Sequence, residues 1–593
     1  MTTLVPKYDQ GGTGAVNRNF NLKLAEWVSI LDFGADPTGV ADCATAYANA
    51  MAASSRVYFP TGTYLFNSGS VVYKNNVEID FGDSTIVHGN FTGTIFQFAS
   101  YGDTPAYTGL KITGGYFTQS DATTSVLKTY ITVGAVKDFS ITKCNLKNVS
   151  NGGITVLSGA ADGNISEITI DGADSHPNPR GIWLDGSQAT GYSSFYMDVV
   201  TITRDATVPF PAYGINNVHI SNCNITMPSR GIYTMNARNT TISNCYVNLT
   251  FTGAARCITI NTYSPGTIIN GCTIVGNGAG MGILATQFSD IIISNCIFNG
   301  SFAGGQDMSL EFGAIALVQG NIFNTSGTKQ ILIRMGADVI VRDNFFNRAT
   351  YLNGARAIDA QCIIPTGEFT ARDISLGIGN NSSICGSLVA QNNVVKNQTF
   401  IQVDTASNPS QNGTRWPAFG QITVKANIYY GADLYTGSDR AVTLFTRTPA
   451  TPQTTLVSYT DNQMYPTSAG TANYVNPAAG VSYAITMTQI YFATFNITTS
   501  GAGAIASSKT TGGNYSLTAA LSGSDIVLTP RSDGGAVPPP LSVVDNGGTV
   551  YTYSLHRSVN NWVLKVYNSG AAQINASTAV VNINVLMGGE GNN

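Results

Sequence analysis

Between residues 219 and 346 the chain repeats one short phrase of apolar and polar positions: HISNCNI, TISNCYV, IINGCTI, IISNCIF, LVQGNIF and IVRDNFF. Three positions before each central Cys or Asn stands an aliphatic residue: Ile220, Ile242, Ile269, Ile293, Val318 and Val341. Two positions after it stands another apolar residue: Ile225, Val247, Ile274, Phe298, Phe323 and Phe346. The central residues are Cys223, Cys245, Cys272, Cys296, Asn321 and Asn344, at steps of 22, 27, 24, 25 and 23 residues. A repeat of that length cannot bury its apolar side alone, so successive copies must stack as the coils of a solenoid. Each copy has room for short strands and turns but not for a helix of ordinary length. The pattern therefore predicts an all-β chain built on a right-handed parallel β-helix, with the Cys/Asn positions forming one inward column. Cys144, in ITKCNL, extends that column.

The ends of the solenoid read differently. VSILDFGADPTGVADCATAYANAMAASSRVYFPTGTYLF reads as strand, Gly/Pro turn, Ala-rich helix and strand–turn–strand. The helix runs from about Asp42 to Ala53, with Thr38 and Asp42 available as caps. Such a helix would cover the first coil, whose apolar columns and strand edges would otherwise be open. Residues 1–27 are glycine-rich and then polar, and read as a flexible arm. After QNNVV at 391–395 the phrase stops, and ASNPSQNGTRWPAFG at 406–420 reads as a linker or end cap. Beyond it, strand patterns such as YAITMTQIYFATFNI and NWVLKVYN alternate with Gly/Ser/Pro loops, one of them marked by PPP at 538–540. That is β-sandwich material in one or two modules. The expected organisation is an arm over 1–27, a capped β-helix over 28–405 and a β-rich C-terminal region over 406–593.

Composition narrows the partners. Only 11% of residues are charged, the net charge is −4, and there is no basic block, so nucleic acid is not expected as a ligand. No apolar run reaches the ~18–20 residues that span a bilayer, and MTTLVPKYDQGG has no signal-peptide character, so no membrane insertion is expected. Synthesis in a reducing compartment, together with Asn replacing Cys in the same column, leads us to expect the 9 cysteines to be free thiols. No Cys/His spacing suggests zinc, and no P-loop, HExxH or GxSxG motif is present, so no metal or cofactor is expected. Gly82-Asp83-Ser84 matches the nucleophile block of GDS esterases, but it follows VEIDF in an early strand and lacks a downstream DxxH.

DFGADPTGVAD, the helix after it, VYFPTGTYLF, and the preceding VPKYDQGGTGAVNR…LAEWVS resemble the start of pectate-lyase-like β-helix domains in tailed-bacteriophage tailspikes. The resemblance is specific over about residues 4–70, and the coil pattern continues it to about 395. It implies a homotrimeric spike that binds host surface polysaccharide, capsule or O-antigen, and usually degrades it. It also implies that residues 1–27 attach to the phage tail, baseplate or another tailspike, and that the protein is assembled in the host cytoplasm and ends in the virion.

Chemistry is sought on the outward side of the coils. Aligning GIWLDG, GIYTMN, CITINT, GILATQ, MSLEFG, QILIRM and AIDAQ gives an outward column of Asp185, Met235, Asn261, Thr286, Glu311, Arg334 and Asp359. Glu311 is the sole Glu between residues 168 and 367. With Asp307 or Asp359 it would form the acid pair that glycosidic hydrolysis uses, one acid protonating the leaving oxygen and the other activating water. Arg334 would bias one carboxylate towards ionisation or bind an acidic sugar. The excursion HPNPRGIWLDGSQATGYSSFYMD adds His176, Arg180, Trp183, Asp185 and Tyr192 as sugar contacts or, alternatively, as the base set of a β-eliminating lyase. The plainer alternatives are a solvated, salt-bridged surface for the column and packing contacts for the aromatics. A receptor fibre that grips glycan without cutting it is the remaining class.

Overall fold

The computed structural model describes residues 26–120, 127–172, 179–188 and 214–250, most of 255–361, and residues 385–404 and 419–431. Elsewhere it describes mainly strand segments, including Lys7–Tyr8 and Arg18–Asn19, which pair antiparallel within the arm. The chain divides into two compact units. One is built on Met1–Ala316 with Thr325–Gly327, the other on Leu317–Asn324, Thr328–Ile364 and Gly379–Asn593.

The first unit is a right-handed parallel β-helix. Its coils carry up to three short strands, each paired in parallel with the same strand of the next coil. Strand Ile215–Ser221 pairs with Thr241–Ser243, which pairs with Thr267–Asn270 and that with Asp290–Ser294. The expected apolar columns are in register: Ile220, Ile242, Ile269 and Ile293 face one another in series, as do Ile225, Val247, Ile274 and Phe298. All eight are fully buried. The residue before each Cys explains the repeated phrase. Asn222, Asn244 and Asn295 have φ of 53°, 52° and 54°, and Gly271 has 66°. This left-handed conformation, which Asn and Gly adopt most readily, turns the chain between two strands and leaves the next residue pointing inward.

That inward residue meets the same acceptors in each coil. The thiols of Cys223, Cys245 and Cys296 each donate to the carbonyl two residues earlier at 3.3 Å. Cys43, Cys144, Cys223, Cys245, Cys257, Cys272 and Cys296 are all free and buried. Burial pushes the Cys144 and Cys257 thiols well up.

At the N-terminal end the helix spans Ala44–Ala53 and buries Ala46, Tyr47, Ala50 and Met51. Cys43 is its N-cap by backbone geometry, while Asp42 Oδ1 accepts from the Ala44 N–H at 3.1 Å. Tyr47 meets the Phe96 ring edge-on at 4.9 Å and the Phe66 ring at 6.1 Å, so the helix closes an aromatic plug. Thr38 does not cap the helix; it donates to Asp36, as do the backbone N–H groups of Thr38, Val40 and Ala41. Ser84 is fully buried and its hydroxyl donates to the Phe59 and Pro60 carbonyls, so the Gly-Asp-Ser stretch is structural.

The second unit repeats the plan with amides in place of thiols. Ile322–Thr325, Phe345–Asn347, Val394–Lys396, Ile428–Gly431 and Gln463–Pro466 pair in parallel series. Asn321, Asn344, Asn393, Asn427 and Asn462 stand at the corner and stack. From Asn321 to Asn427, each backbone N–H and side-chain amide donates to the Oδ1 of the next Asn at 2.9–3.0 Å. The expected boundary at 405 falls inside this series: parallel pairing continues to Ser482–Thr488. Antiparallel structure begins at Tyr491, as two four-stranded sheets.

Two predictions follow from these packing rules. Ile242→Asp should abolish soluble folded protein, because an unpaired charge in a fully buried column costs several kcal/mol. In native protein Cys223, Cys245, Cys272 and Cys296 should resist a thiol reagent that labels them in denaturant; rapid native labelling would contradict the register. Asp36, held by its hydrogen bonds to Thr38 and then to backbone N–H groups, has its pKa lowered to about 2. A depressed carboxylate contributes stability above its unfolded value of about 4, lost as pH falls through the folded value. The stability gap between wild type and Asp36→Asn should thus be constant above about pH 5 and shrink between about pH 4 and 2, as read by denaturant titration.

Candidate functional site

The third strand of each coil carries the side chains of interest. In the first unit these strands are Arg180–Asp185, Arg230–Met235, Arg256–Asn261, Met281–Thr286 and the start of Gln306–Gln319, on five successive coils. Ile182, Ile232, Ile258, Ile283 and Met308 face one another in series and are buried, and they pin the register. Alternation along the strand then sets Trp183, Tyr233, Thr259, Leu284 and Ser309 to the opposite side. Gly181 and Gly231 follow the first arginines where coils approach closely: a Cβ on Gly181 would lie 2.6 Å from the Gly231 carbonyl oxygen.

Arg180, Arg230 and Arg256 pair directly with one another on three consecutive coils. All three are half-buried. The Arg180 guanidinium lies over the Trp183 ring at 3.7 Å and near the Tyr233 ring at 5.2 Å; Arg230 lies over Tyr233 at 5.0 Å. Burial first, and the Arg230 charge second, pull the pKa of Arg180 and of Arg256 down. Guanidinium groups nevertheless stay protonated, and unit charges one coil apart repel by roughly 3 kcal/mol at an effective dielectric of 20. Tyr233 and Asp185 oppose the shift at Arg180, and Glu311 and Tyr233 oppose it at Arg256.

Asp185, Met235 and Asn261 pair in series as expected, and Thr286 pairs with Glu311. Asn261 donates from its amide to the Tyr233 hydroxyl at 2.8 Å. Glu311 is half-buried and accepts from Ser309 Oγ at 2.7 Å. It lies two coils beyond Asn261, about 10 Å along the stack. Asp185 is buried and accepts from the Ser187 N–H and hydroxyl.

Two acids stand elsewhere than the sequence alignment put them. Asp307 is fully buried and takes a hydrogen bond from the Thr325 hydroxyl. It occupies the corner position that Gly231 and Cys257 hold in earlier coils, so its carboxyl turns into the wall. In the second unit Asp359 pairs with Leu332, not Arg334, whose backbone partner is Gln361. Asp359 is fully buried, with Lys329 Nζ at 2.6 Å and an Arg356 guanidinium nitrogen at 3.4 Å. Lys329 and Arg356 are themselves paired on adjacent coils, at the strand position that the three arginines hold in the first unit. The Arg334 side chain, His176 and Tyr192 lie outside the described residues. Arg230, Arg256 and Tyr233, which the sequence reading passed over, complete the face. Among the described residues no group of three or more His, Cys, Asp or Glu is placed to hold a metal ion.

Residues 27–247 match a family model described as rhamnogalacturonase A/epimerase, pectate lyase-like. No curated protein matches the chain. Among solved structures it is similar to a mutant tailspike protein of E. coli bacteriophage HK620 in complex with a pentasaccharide, at 13% identity and TM-score 0.48, over 98% of this chain and 97% of that one. It is also similar to tailspike protein 3 of bacteriophage CBA120, at 12% identity and TM-score 0.40, over 76% and 67%. A third similarity is to the A-module of the Azotobacter vinelandii mannuronan C-5 epimerase AlgE4, at 12% identity and TM-score 0.35, over 77% and 100%.

The ion cluster of the second unit generates a prediction. Asp359→Ala strands two cations, and breaking a buried pair in this way costs about 3–5 kcal/mol. Thermal or denaturant unfolding should register the loss, and a Lys329→Gln background should reduce it. An unchanged midpoint would show that the cluster contributes nothing to stability.

Proposed function

We propose that this chain, pectate-lyase-like over residues 27–247, binds and depolymerises a bacterial surface polysaccharide, capsule or O-antigen, by glycosidic hydrolysis. The observation that carries the reading is one side of the third strands held in register over five coils. Half-buried Trp183, Asn261 and the Glu311 carboxylate lie along it, with the Tyr233 ring, almost fully covered, between the first two. A polysaccharide needs a long, rigid, polar track with apolar platforms for its rings, and strand-borne side chains hold such a track better than loops do. Glu311 is the acid of this site. The Ser309 hydroxyl fixes its orientation, and Arg256 supplies nearby positive charge. By its resemblance to tailspikes the chain works as a homotrimer in the virion, joined to the tail through residues 1–27.

One observation favours a second reading. The carboxylates on these five strands are Asp185, Asp307 and Glu311. Asp307 turns inward, and Asp185 is four coils from Glu311, about 19 Å against the roughly 5–9.5 Å between paired glycosidase acids. Glu311 therefore acts with an acid supplied from elsewhere in the assembly, or the chemistry is an elimination in which arginines offset a sugar carboxylate while a base removes the adjacent proton.

Glu311→Gln should lower turnover at least ~100-fold, the low end for losing a general acid or base, while leaving folding and polysaccharide binding intact. Products of the wild-type protein separate the reactions. New reducing ends without an unsaturated uronide chromophore mean hydrolysis, and the chromophore means elimination. Intact polymer that stays bound means a receptor that does not cut. Wild-type turnover in Glu311→Gln would move the chemistry away from this strand.

A further inference from the structure

The strand position that begins the third strand carries a run of cations in both units, but among the described residues carboxylates pair with that run in only one of them. In the second unit Lys329 and Arg356, on adjacent coils, close over the buried carboxylate of Asp359. In the first unit the same position carries Arg180, Arg230 and Arg256, and the place corresponding to Asp359 is taken by Trp183, Tyr233 and Thr259. Among the described residues no carboxylate forms an ion pair with any of the three arginines. The acids that act on them at a distance are Asp185, already bonded to Ser187, and Glu311, bonded to Ser309. The Nε–H groups of Arg180 and Arg230 and the indole N–H of Trp183 are shielded from solvent and meet no acceptor among the described residues. Buried donors are ordinarily satisfied.

We propose that Arg180, Arg230 and Arg256 form a subsite for the carboxylate of an acidic sugar, whose ring rests against Trp183 and Tyr233. The Asp359 cluster shows how a carboxylate sits among cations that begin neighbouring third strands. An arginine fork matches a planar carboxylate with two parallel hydrogen bonds, and its aromatic backing holds the guanidinium plane. The run is three coils long, bounded by Gly152 on one side and Met281 on the other, so the cations are confined to one point along the glycan. The subsite rests on the glycan-binding reading above and refines its substrate class.

The test uses the full-length protein and a panel of bacterial surface polysaccharides, acidic and neutral, each acidic one also in carboxyl-reduced form. Retention should be confined to acidic polymers and fall at least 10-fold on carboxyl reduction. Arg230→Gln and Arg256→Gln, each checked for an unchanged thermal midpoint, should lose retention to the same degree, while Glu311→Gln keeps it. Equal retention of native and carboxyl-reduced polymer, retention of neutral polymers alone, or full retention by both folded arginine variants would overturn the subsite. Retention of no polymer at all would overturn the glycan reading with it. Acidic retention with wild-type turnover in Glu311→Gln would leave the subsite standing and remove only the assignment of the acid.

Discussion

Everything in this molecule depends on equivalent positions of successive coils lying one strand spacing apart, about 4.8 Å. At that distance a column must be filled by residues that tolerate a copy of themselves above and below. Aliphatic side chains satisfy this by close contact, as Ile220, Ile242, Ile269 and Ile293 do. The corner is harder, because the chain turns there and leaves backbone groups to satisfy. A left-handed residue makes the turn, and a thiol or an amide then reaches the carbonyl groups the turn exposes. The amide is the stronger device. The two hydrogens of the Asn344 amide are shared among its own corner, the preceding coil and the Oδ1 of Asn393, each full bond contributing about 1 kcal/mol net.

The same rule explains what the sequence revealed about the fold. Where coil length stays in the twenties, the repeated phrase displays the columns directly, and the structure pairs them as read. Past Asn344 the inward amides fall at 393, 427 and 462, with longer insertions between them, so the period disappears while the corner chemistry persists. The phrases KANIYY and TDNQMY are still coil phrases, but spacing alone no longer marks them. The register of Asp359 was hidden for a related reason. A shift of two residues leaves every side chain on the same face of a strand, so alternation cannot detect it, and coil lengths vary by more than two residues. Only the pairing of Ile331 with Ile358 fixes it.

The functional face was partly legible. Trp183, Asn261 and Glu311 were visible because an outward polar or aromatic residue breaks an otherwise aliphatic strand. The arginines stood one residue before the phrases GIWLDG, GIYTMN and CITINT, and an alignment that began one residue earlier would have read Arg180, Arg230 and Arg256 as a column. Asp307 was misplaced because the strand start is a corner, where strict alternation fails and the Cys257 side chain of an earlier coil is already buried. Sequence carries the identity of such a residue, while its direction depends on backbone geometry that the period does not encode.

The two units thus put one framework position to different uses. Beside Asp359, the cations Lys329 and Arg356 are neutralised inside the protein, and the result is a locked wall whose charge is unavailable. Beside Trp183 and Tyr233, Arg180 and Arg230 are backed by rings, which support a cation without cancelling it. Replacing the carboxylate by an aromatic at this one strand position removes the internal counter-ion, and among the described residues no carboxylate pairs with the arginines beside it. A solenoid makes that change easily, since each coil presents the same geometry and only the side chain decides whether the position stabilises the shaft or serves as a binding surface.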